Sequence, residues 1–195
     1  MRRQIIFFTF ILTLVTGHSS IAADYEKGVE ALKVWDYATA IEEWSALAEQ
    51  GHPGAQRELG LLYRQGRGVE KDPKLAVNWI TLSAEAGDSR SQLILGGLYM
   101  SGDELPLDGE KAIKWLTLAA EQGERRAPMA LSLLYGFGHA VKRNELYSQM
   151  WWEIARLHGA KVNEIFDTKN TKDMQPSHLK EARDLASEWL KKHVK

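Results

Sequence analysis

The stretch Leu59-Gly60-Leu61-Leu62-Tyr63-Arg64-Gln65-Gly66 decides the fold, because its main positions return at intervals of 36 residues. Leucine, tyrosine, glycine and tryptophan each recur three times in this register. Chance does not place so many aromatic and glycine positions in step, so the chain is a repeat protein. The threefold positions are Leu59, Leu95, Leu131, Tyr63, Tyr99, Tyr135, Gly66, Gly102, Gly138, Trp79, Trp115, Trp151, Gly87, Gly123 and Gly159.

Three further positions match in two copies and change to another small or capping residue in the third. They are Gly60 and Gly96 with Ser132, Asp72 and Asp108 with Asn144, and Ala76 and Ala112 with Ser148.

The first half of each unit predicts an α-helix, over about residues 53–65 in the first full copy. Leu59, Leu62 and Tyr63 form an apolar stripe at helical spacing. Gly60 weakens a helix interior, so we expect it, like Gly96, to let a neighbouring helix come close. Gly66 then ends the helix in a left-handed conformation.

The second half of each unit predicts another helix. Asp72 is its N-cap, Pro73 occupies the first helical position, and Gly87 ends the helix. Because Glu104 and Ala140 replace Gly68 in later copies, we expect the second and third loops to be less tight. The predicted inner face consists of Leu75, Ala76, Trp79, Leu82 and Ser83.

A helix hairpin of this kind cannot cover its own apolar faces, so hairpins stack into a solenoid. We predict three repeats at 53–88, 89–124 and 125–160, after a degenerate repeat at 23–52 and a signal peptide at 1–22. In the degenerate repeat, Trp44 aligns with Ile80. Its first helix is predicted at about 24–34, with Val29, Leu32 and Val34 inside, and its second helix after Asp36.

The region 161–195 falls outside the period and predicts a capping helix. Pro176 and Ser177 open this helix, with Ser177 as N-cap, and residues 161–166 suggest a short helix before it. The apolar side would close the end of the solenoid. An independent amphipathic helix that binds a partner is the alternative. The apolar side comprises Leu179, Ala182, Leu185, Ala186 and Trp189.

The first 22 residues are typical of a secretory signal peptide. Arg2 and Arg3 precede an apolar run at 5–15, and small residues lead to cleavage after Ala22 or, as second choice, Ala23. The run is too short to span a bilayer; a buried core helix is the alternative. We therefore predict a periplasmic or secreted protein with no stable membrane span after cleavage.

The composition excludes several classes of function. The net charge of −1 does not favour nucleic acid. The absence of cysteine removes disulfides, thiolate metal sites and cysteine nucleophiles. The six histidines are scattered without the spacing of a helical metal site. We therefore predict no cofactor and no metal ion.

Residues 55–69, AQRELGLLYRQGRGV, followed by Asp72, Ala76, Trp79, Ala84 and Gly87, resemble the Sel1-like repeat, a relative of the tetratricopeptide repeat. The resemblance implies an all-α fold: a right-handed α-solenoid of Sel1-like helix hairpins with a C-terminal capping helix. It also implies a non-catalytic scaffold, adaptor or regulator of the bacterial envelope that binds a protein or peptide on its concave face. Nothing is carried over from the cysteine-rich branch of the family, including penicillin binding.

One motif supports an alternative function. Ser177-x-x-Lys180 matches the Ser-x-x-Lys of serine acyltransferases, which would make the chain an envelope enzyme acting on peptidoglycan or β-lactams. The Ser-Asp-Asn and Lys-Thr-Gly companions are missing. The motif is therefore weak, and we predict no catalytic residue.

The first helices also supply candidate partner-binding residues, because the resemblance places these helices on the concave side. They predict a groove that is basic at one end and apolar at the other, although solvated helix faces would look similar. The repeated tryptophans are predicted to be core rather than a sugar-stacking ladder, with Trp152 exposed. The candidate binding residues are Arg57, Arg64, Gln65, Gln92, Met100, Met129, Leu133 and Phe137.

Overall fold

The computed structural model describes residues 24–159 and 174–193, and within these ranges it contains nine α-helices and no strand. The predicted signal peptide and the predicted short helix at 161–166 lie outside the described residues. The helices are α1 Tyr25–Lys33, α2 Tyr37–Glu49, α3 Pro53–Gln65, α4 Pro73–Glu85, α5 Ser89–Ser101, α6 Gly109–Glu121, α7 Ala127–Phe137, α8 Glu145–Leu157 and α9 Pro176–His193.

Each helix packs against its neighbours in sequence, first within a hairpin and then between hairpins. The pairs α1–α2, α3–α4, α5–α6 and α7–α8 form the hairpins, and α9 covers α8. The prediction of an all-α solenoid is confirmed. None of the described helices is both long and apolar enough to cross a membrane.

The helix boundaries follow local residue chemistry at the repeat spacing. The side chains of Asp72, Asp108 and Asn144 each accept a backbone N–H three residues later at 3.0 Å, which satisfies a free donor at the start of α4, α6 and α8. Gly66 has φ +68°, a left-handed conformation that ends α3 and that residues with a side chain rarely adopt. The predicted caps Asp72 and Gly66 are therefore correct.

The loops inside the hairpins α3–α4, α5–α6 and α7–α8 share one closing hydrogen bond, and the expected difference in their tightness stays a prediction. In each loop the cap residue donates its backbone N–H to the carbonyl of the repeated tyrosine. The three N···O distances are 3.0 Å for Asp72 to Tyr63, 3.0 Å for Asp108 to Tyr99 and 2.9 Å for Asn144 to Tyr135. Glycine at the position of Gly68 is therefore not required for closure.

The glycines inside the first helices have the predicted packing role. A Cβ atom on Gly60 would lie 2.8 Å from Cγ1 of Ile80, and one on Gly96 would lie 2.6 Å from Cγ of Leu116. In the hairpin α7–α8, Ser132 takes this place. Its hydroxyl donates to the carbonyl of Ser148 at 2.8 Å, and the hydroxyl of Ser148 donates back at 2.9 Å.

The most buried position of the second helices lies one residue beyond the predicted one. Trp79 and Trp115 are only half-buried, although Trp151 is buried. The next register, Trp44, Ile80, Leu116 and Trp152, is 0%, 0%, 0% and 5% exposed. The predicted exposure of Trp152 is therefore wrong.

Two other inward assignments are wrong, because Val34 follows α1 as its C-cap and Leu82 is on the outer side of α4. Leu82 is 47% exposed and Val34 is 71% exposed. Helix α4 packs against both α3 and α5, so the side of α4 between those two helices is buried. That side carries Ala76, Ile80, Ser83 and Ala84, which turns Leu82 outward.

Helix α9 caps the last hairpin. Ala182 and Ala186 are buried, and the Trp189 ring packs edge-on against the Trp151 ring with centroids 5.1 Å apart. Ser177 is not the N-cap, because α9 begins at Pro176 and the carbonyl of Gln175 already accepts from residue 179. The apolar side of α9 thus covers α8 as a cap would.

Candidate functional site

A concave groove of about 1200 Å³ is formed mainly by α3, α5 and α7. We call it the first-helix groove. Helices α4, α6 and α8 contribute none of its lining. Its apolar floor consists of Leu61, Leu93, Ile94, Met100, Met129 and Leu133, all half-buried.

The repeat builds this groove from equivalent positions. Arg57, Leu93 and Met129 are spaced by 36 residues, and so are Leu61, Gly97 and Leu133. Stacked hairpins bring equivalent residues of successive first helices side by side. The charge and size of the lining side chains therefore change along the groove from one repeat to the next.

The charged part of the lining carries four arginines and two glutamates. They are Arg57, Arg90, Arg125 and Arg126, with Glu58 and Glu124.

Arg57 is held by the protein itself. Its guanidinium contacts Asp88, donates to Glu58 at 2.8 Å and to the Tyr25 hydroxyl at 3.1 Å, and its side chain is 9% exposed. Burial opposes its charge, yet the carboxylates of Glu58 and Asp88 raise the pKa of the guanidinium above its ordinary value. Burial also raises the pKa of the Tyr25 phenol, against the opposing effect of Arg57.

The other arginines differ in their hydrogen-bond and ion-pair partners. Arg125 donates to the carbonyls of His158 and Gly159 at 3.1 and 2.9 Å, which ties it to the end of α8. Arg126 is 73% exposed and reaches Glu124 at 3.4 Å. Arg90 is exposed and forms no ion pair with any residue of the described ranges. Arg90, Arg125 and Arg126 are therefore the exposed cations of the lining, and Arg125 is the one of the three whose guanidinium is tied to backbone carbonyls.

The structure brings together four of the predicted binding residues, since Arg57, Met100, Met129 and Leu133 line the first-helix groove. Phe137 is 71% exposed and lies at a separate apolar pocket of about 200 Å³, which Met100 and Leu133 also line.

Three predicted binding residues lie elsewhere. Arg64 pairs with Glu104 at 2.7 Å, and Gln65 is exposed but outside the groove lining. Gln92 is 4% exposed, so its assignment to a binding surface is wrong. Its amide nitrogen donates to the carbonyl of Ala84 at 3.1 Å, and its amide oxygen accepts from Gln122 at 2.7 Å.

Sequence reasoning missed Leu61, Arg90, Ile94, Gly97 and Arg126 in the groove. The signal that finds two of them is the period itself: stepping back 36 residues from Leu133 reaches Gly97, and a second step reaches Leu61. Gln92 lies between apolar core positions of the first helix, which predicts an outward side chain. One residue is a rotation of about 100° in a helix, enough to move a side chain from the groove to the interior.

The alternative catalytic motif lies on α9, which contributes no residue to the groove lining. The amine of Lys180 donates to Asp184 at 2.8 Å, and this hydrogen bond raises the pKa of Lys180. A raised pKa keeps the amine protonated, whereas a general base must be neutral. No cluster of three or more histidine, aspartate or glutamate residues suited to a metal ion occurs in the described ranges.

The Sel1 repeat family model matches residues 53–88, 89–124 and 129–159, together more than half of the chain. The chain belongs to the Sel1 repeat family. The predicted family resemblance is thereby confirmed.

Solved structures are similar to this Sel1 repeat protein. A Sel1 repeat protein from Oxalobacter formigenes has a TM-score of 0.66 and 28% identity, over 85% of this chain and 70% of that one. The protein c5321 displays an SLR fold and is a protective antigen present in uropathogenic Escherichia coli strains. Its structure has a TM-score of 0.48 and 24% identity to this chain. That match covers 87% of this chain and 45% of the other. No curated protein matches the chain significantly.

Proposed function

We propose that this chain is a non-catalytic interaction protein of the bacterial envelope that binds a protein or peptide segment in the first-helix groove. Sel1 repeat proteins commonly mediate protein–protein interaction. The observation that carries the proposal is the groove itself: three first helices join an apolar floor to the exposed cations Arg90 and Arg126.

The size and shape of the groove favour a chain segment over a small molecule. Pockets for small molecules occupy about 300–1000 Å³ and bury most of the ligand. The first-helix groove, at about 1200 Å³, runs across α3, α5 and α7. An extended segment can cross several stacked helices and meet the apolar floor and the arginines at the same time.

The envelope location is part of the proposal and rests on the signal peptide predicted at 1–22. Helix α1 is compatible with cleavage, because its N-cap is Asp24, whose side chain accepts from the backbone of residue 26 at 2.9 Å. Cleavage after Ala22 or Ala23 leaves this cap on the mature chain. Mass spectrometry of protein from a periplasmic fraction or the medium should find an N-terminus at Ala23 or Asp24. A retained residue 1 would contradict export by cleavage.

Site-specific photo-cross-linking tests the groove. A photoreactive amino acid at Arg90 in the groove is compared with one at Asn78, an exposed residue of α4 outside the groove lining. We expect a defined adduct from position 90 in intact cells, and its loss when Leu133→Asp is added. Adducts of equal yield from position 78, or from position 78 alone, would contradict the groove as the binding face.

A further inference from the structure

Gly97 lies in the middle of α5, where neither packing nor backbone conformation requires a glycine. A Cβ atom on Gly97 would meet no atom within 4 Å, in contrast to the adjacent Gly96. Its backbone is not left-handed. Glycine weakens a helix interior compared with alanine, so its presence here has no structural benefit.

The place of Gly97 in the groove gives a reason for it. The equivalent residues of the neighbouring units are Leu61 and Leu133, and all three positions line the groove. The row of leucines is thus interrupted in the central unit, which leaves a notch between two leucine side chains. Ile94 and Met100, one helical turn before and after, are half-buried and border the notch on the same helix.

The accessible arginines lie at one side of this notch. Arg90 and Arg126 are equivalent positions, at the starts of α5 and α7. The lining carries four arginines against two glutamates, and the charge of Arg57 is already met by Glu58 and Asp88. The groove therefore complements an anionic group near Arg90.

We propose that the first-helix groove takes an extended peptide segment whose large apolar side chain enters the notch at Gly97 and whose carboxylate contacts Arg90 and Arg126. Seven residues of helix separate Arg90 from Gly97, a rise of about 10 Å. An extended peptide advances about 3.3 Å per residue. The acidic and apolar residues of the ligand should therefore stand about two to four positions apart.

This inference rests on the proposed binding function and adds the chemistry of the ligand. A flat anionic lipid surface would meet the exposed arginines but could not fill a notch between Leu61 and Leu133. A second copy of the chain is a different occupant, and it would appear as self-association rather than as peptide binding. Peptide selection on the purified protein separates these cases.

The probe is a phage-displayed library of random linear peptides, selected on the full chain and then resynthesised for titration. We expect enriched peptides to combine an aspartate or glutamate with a large apolar residue at the stated spacing. Gly97→Leu should weaken their binding by at least about tenfold, because it fills the space that the apolar side chain needs. The matched control Asn78→Leu adds the same side chain to α4 and should leave binding within about twofold.

Charge reversal tests the carboxylate contact. The double variant Arg90→Glu, Arg126→Glu should lose binding to the selected peptides and regain it for peptides in which lysine replaces the acidic residue. A merely misfolded variant would not gain this new specificity. Circular dichroism should show unchanged helix content for Gly97→Leu, since leucine is a better helix former than glycine.

The outcomes separate this inference from the proposed function. If selected peptides lose binding with Leu133→Asp but bind Gly97→Leu as tightly as wild type, the notch assignment is wrong and the groove remains the binding face. Enriched peptides without an acidic residue would overturn the carboxylate contact. A wild-type protein that enriches no peptide overturns the inference, while cross-linking from position 90 decides separately on the groove.

Discussion

The carboxylate of Asp88 serves two partners at once, because one oxygen accepts the backbone N–H of Ser91 at 2.7 Å and the other contacts the guanidinium of Arg57. The first bond caps α5, and the second joins that cap to α3. Arg57 also donates to the hydroxyl of Tyr25 on α1. One arginine therefore links the first helices of three successive hairpins, and its role is to hold the groove wall in place.

Loss of this shared carboxylate should destabilise the protein more than loss of a simple cap. We expect Asp88→Ala to lower the free energy of unfolding by about 2–4 kcal/mol, since a cap contributes about 1 kcal/mol and a hydrogen bond to a charged group about 1.5–3 kcal/mol. Asp88→Asn keeps a capping side chain and should lie in between. Urea unfolding followed by circular dichroism measures the difference.

The control for this series is Asp108→Ala, which removes the cap of α6 and an exposed pair with Lys111. We expect a loss of about 1 kcal/mol. Equal losses for Asp88→Ala and Asp108→Ala would show that the Arg57 contact adds nothing.

The adjacent glycines Gly96 and Gly97 should respond in opposite directions to the same substitution. Gly96→Ala places a Cβ atom against Leu116 at 2.6 Å, and overpacking of this kind typically costs about 1–3 kcal/mol. Gly97→Ala meets open space and should stabilise α5 by about 0.5–1 kcal/mol. Thermal unfolding of the two variants would contradict the packing argument if both changed the midpoint in the same direction.

The burial register of α4 can be tested with two of its aliphatic residues. Ile80 is fully buried and Leu82 is 47% exposed. Ile80→Ala should therefore destabilise the protein by about 2–5 kcal/mol, whereas Leu82→Ala should change the stability by only about 0.5 kcal/mol. Chemical denaturation would refute the register if Leu82→Ala were the more damaging change.

Stability should fall in acid through the contact between Glu43 and the N-terminal helix. A hydrogen bond from Lys27, and then one from the backbone N–H of Asp24, hold the pKa of Glu43 below its ordinary value of 4.5. A carboxyl whose pKa is lowered by folding stabilises the fold above its unfolded pKa, and the effect is lost as pH falls through the folded pKa. Unfolding between about pH 5 and pH 3 should show this loss.

Glu43→Gln should flatten that part of the pH profile, because the amide does not titrate. Glu42→Gln alters an exposed neighbour on the same helix and is the matched control. A pH profile that is identical for wild type and Glu43→Gln would show that the Lys27 contact does not contribute.

Much of the fold could be predicted from the residues because helix ends are local. Asp72 and Pro73 start α4, and Gly66 ends α3, through contacts within a few residues. The cap recurs at Asp108 and Asn144 and the left-handed glycine at Gly102 and Gly138, and the family match follows from that pattern. The close approach at Gly60 could also be predicted, because glycine weakens a helix interior and recurs one period later at Gly96.

The candidate site was only partly predictable, because a side chain near the groove can form hydrogen bonds and ion pairs with residues far away in the sequence. Arg57 is adjacent to Glu58 in sequence, but its contacts with Asp88 and Tyr25 span 31 and 32 residues. The polar amide of Gln92 predicts a surface position, yet the side chain is buried and is bonded to the carbonyl of Ala84 and the side-chain amide of Gln122.

The sequence by itself determined the period, the start and end of the helices and the stacking into a solenoid, because capping residues and glycines act on their own backbone. Only the tertiary structure decided that Ile80 is more buried than Trp79, that Arg57 is tied to Asp88, and that Gly97 opens a notch in the groove. Each of these depends on how a helix is rotated between two neighbours, and that rotation is set by packing across hairpins.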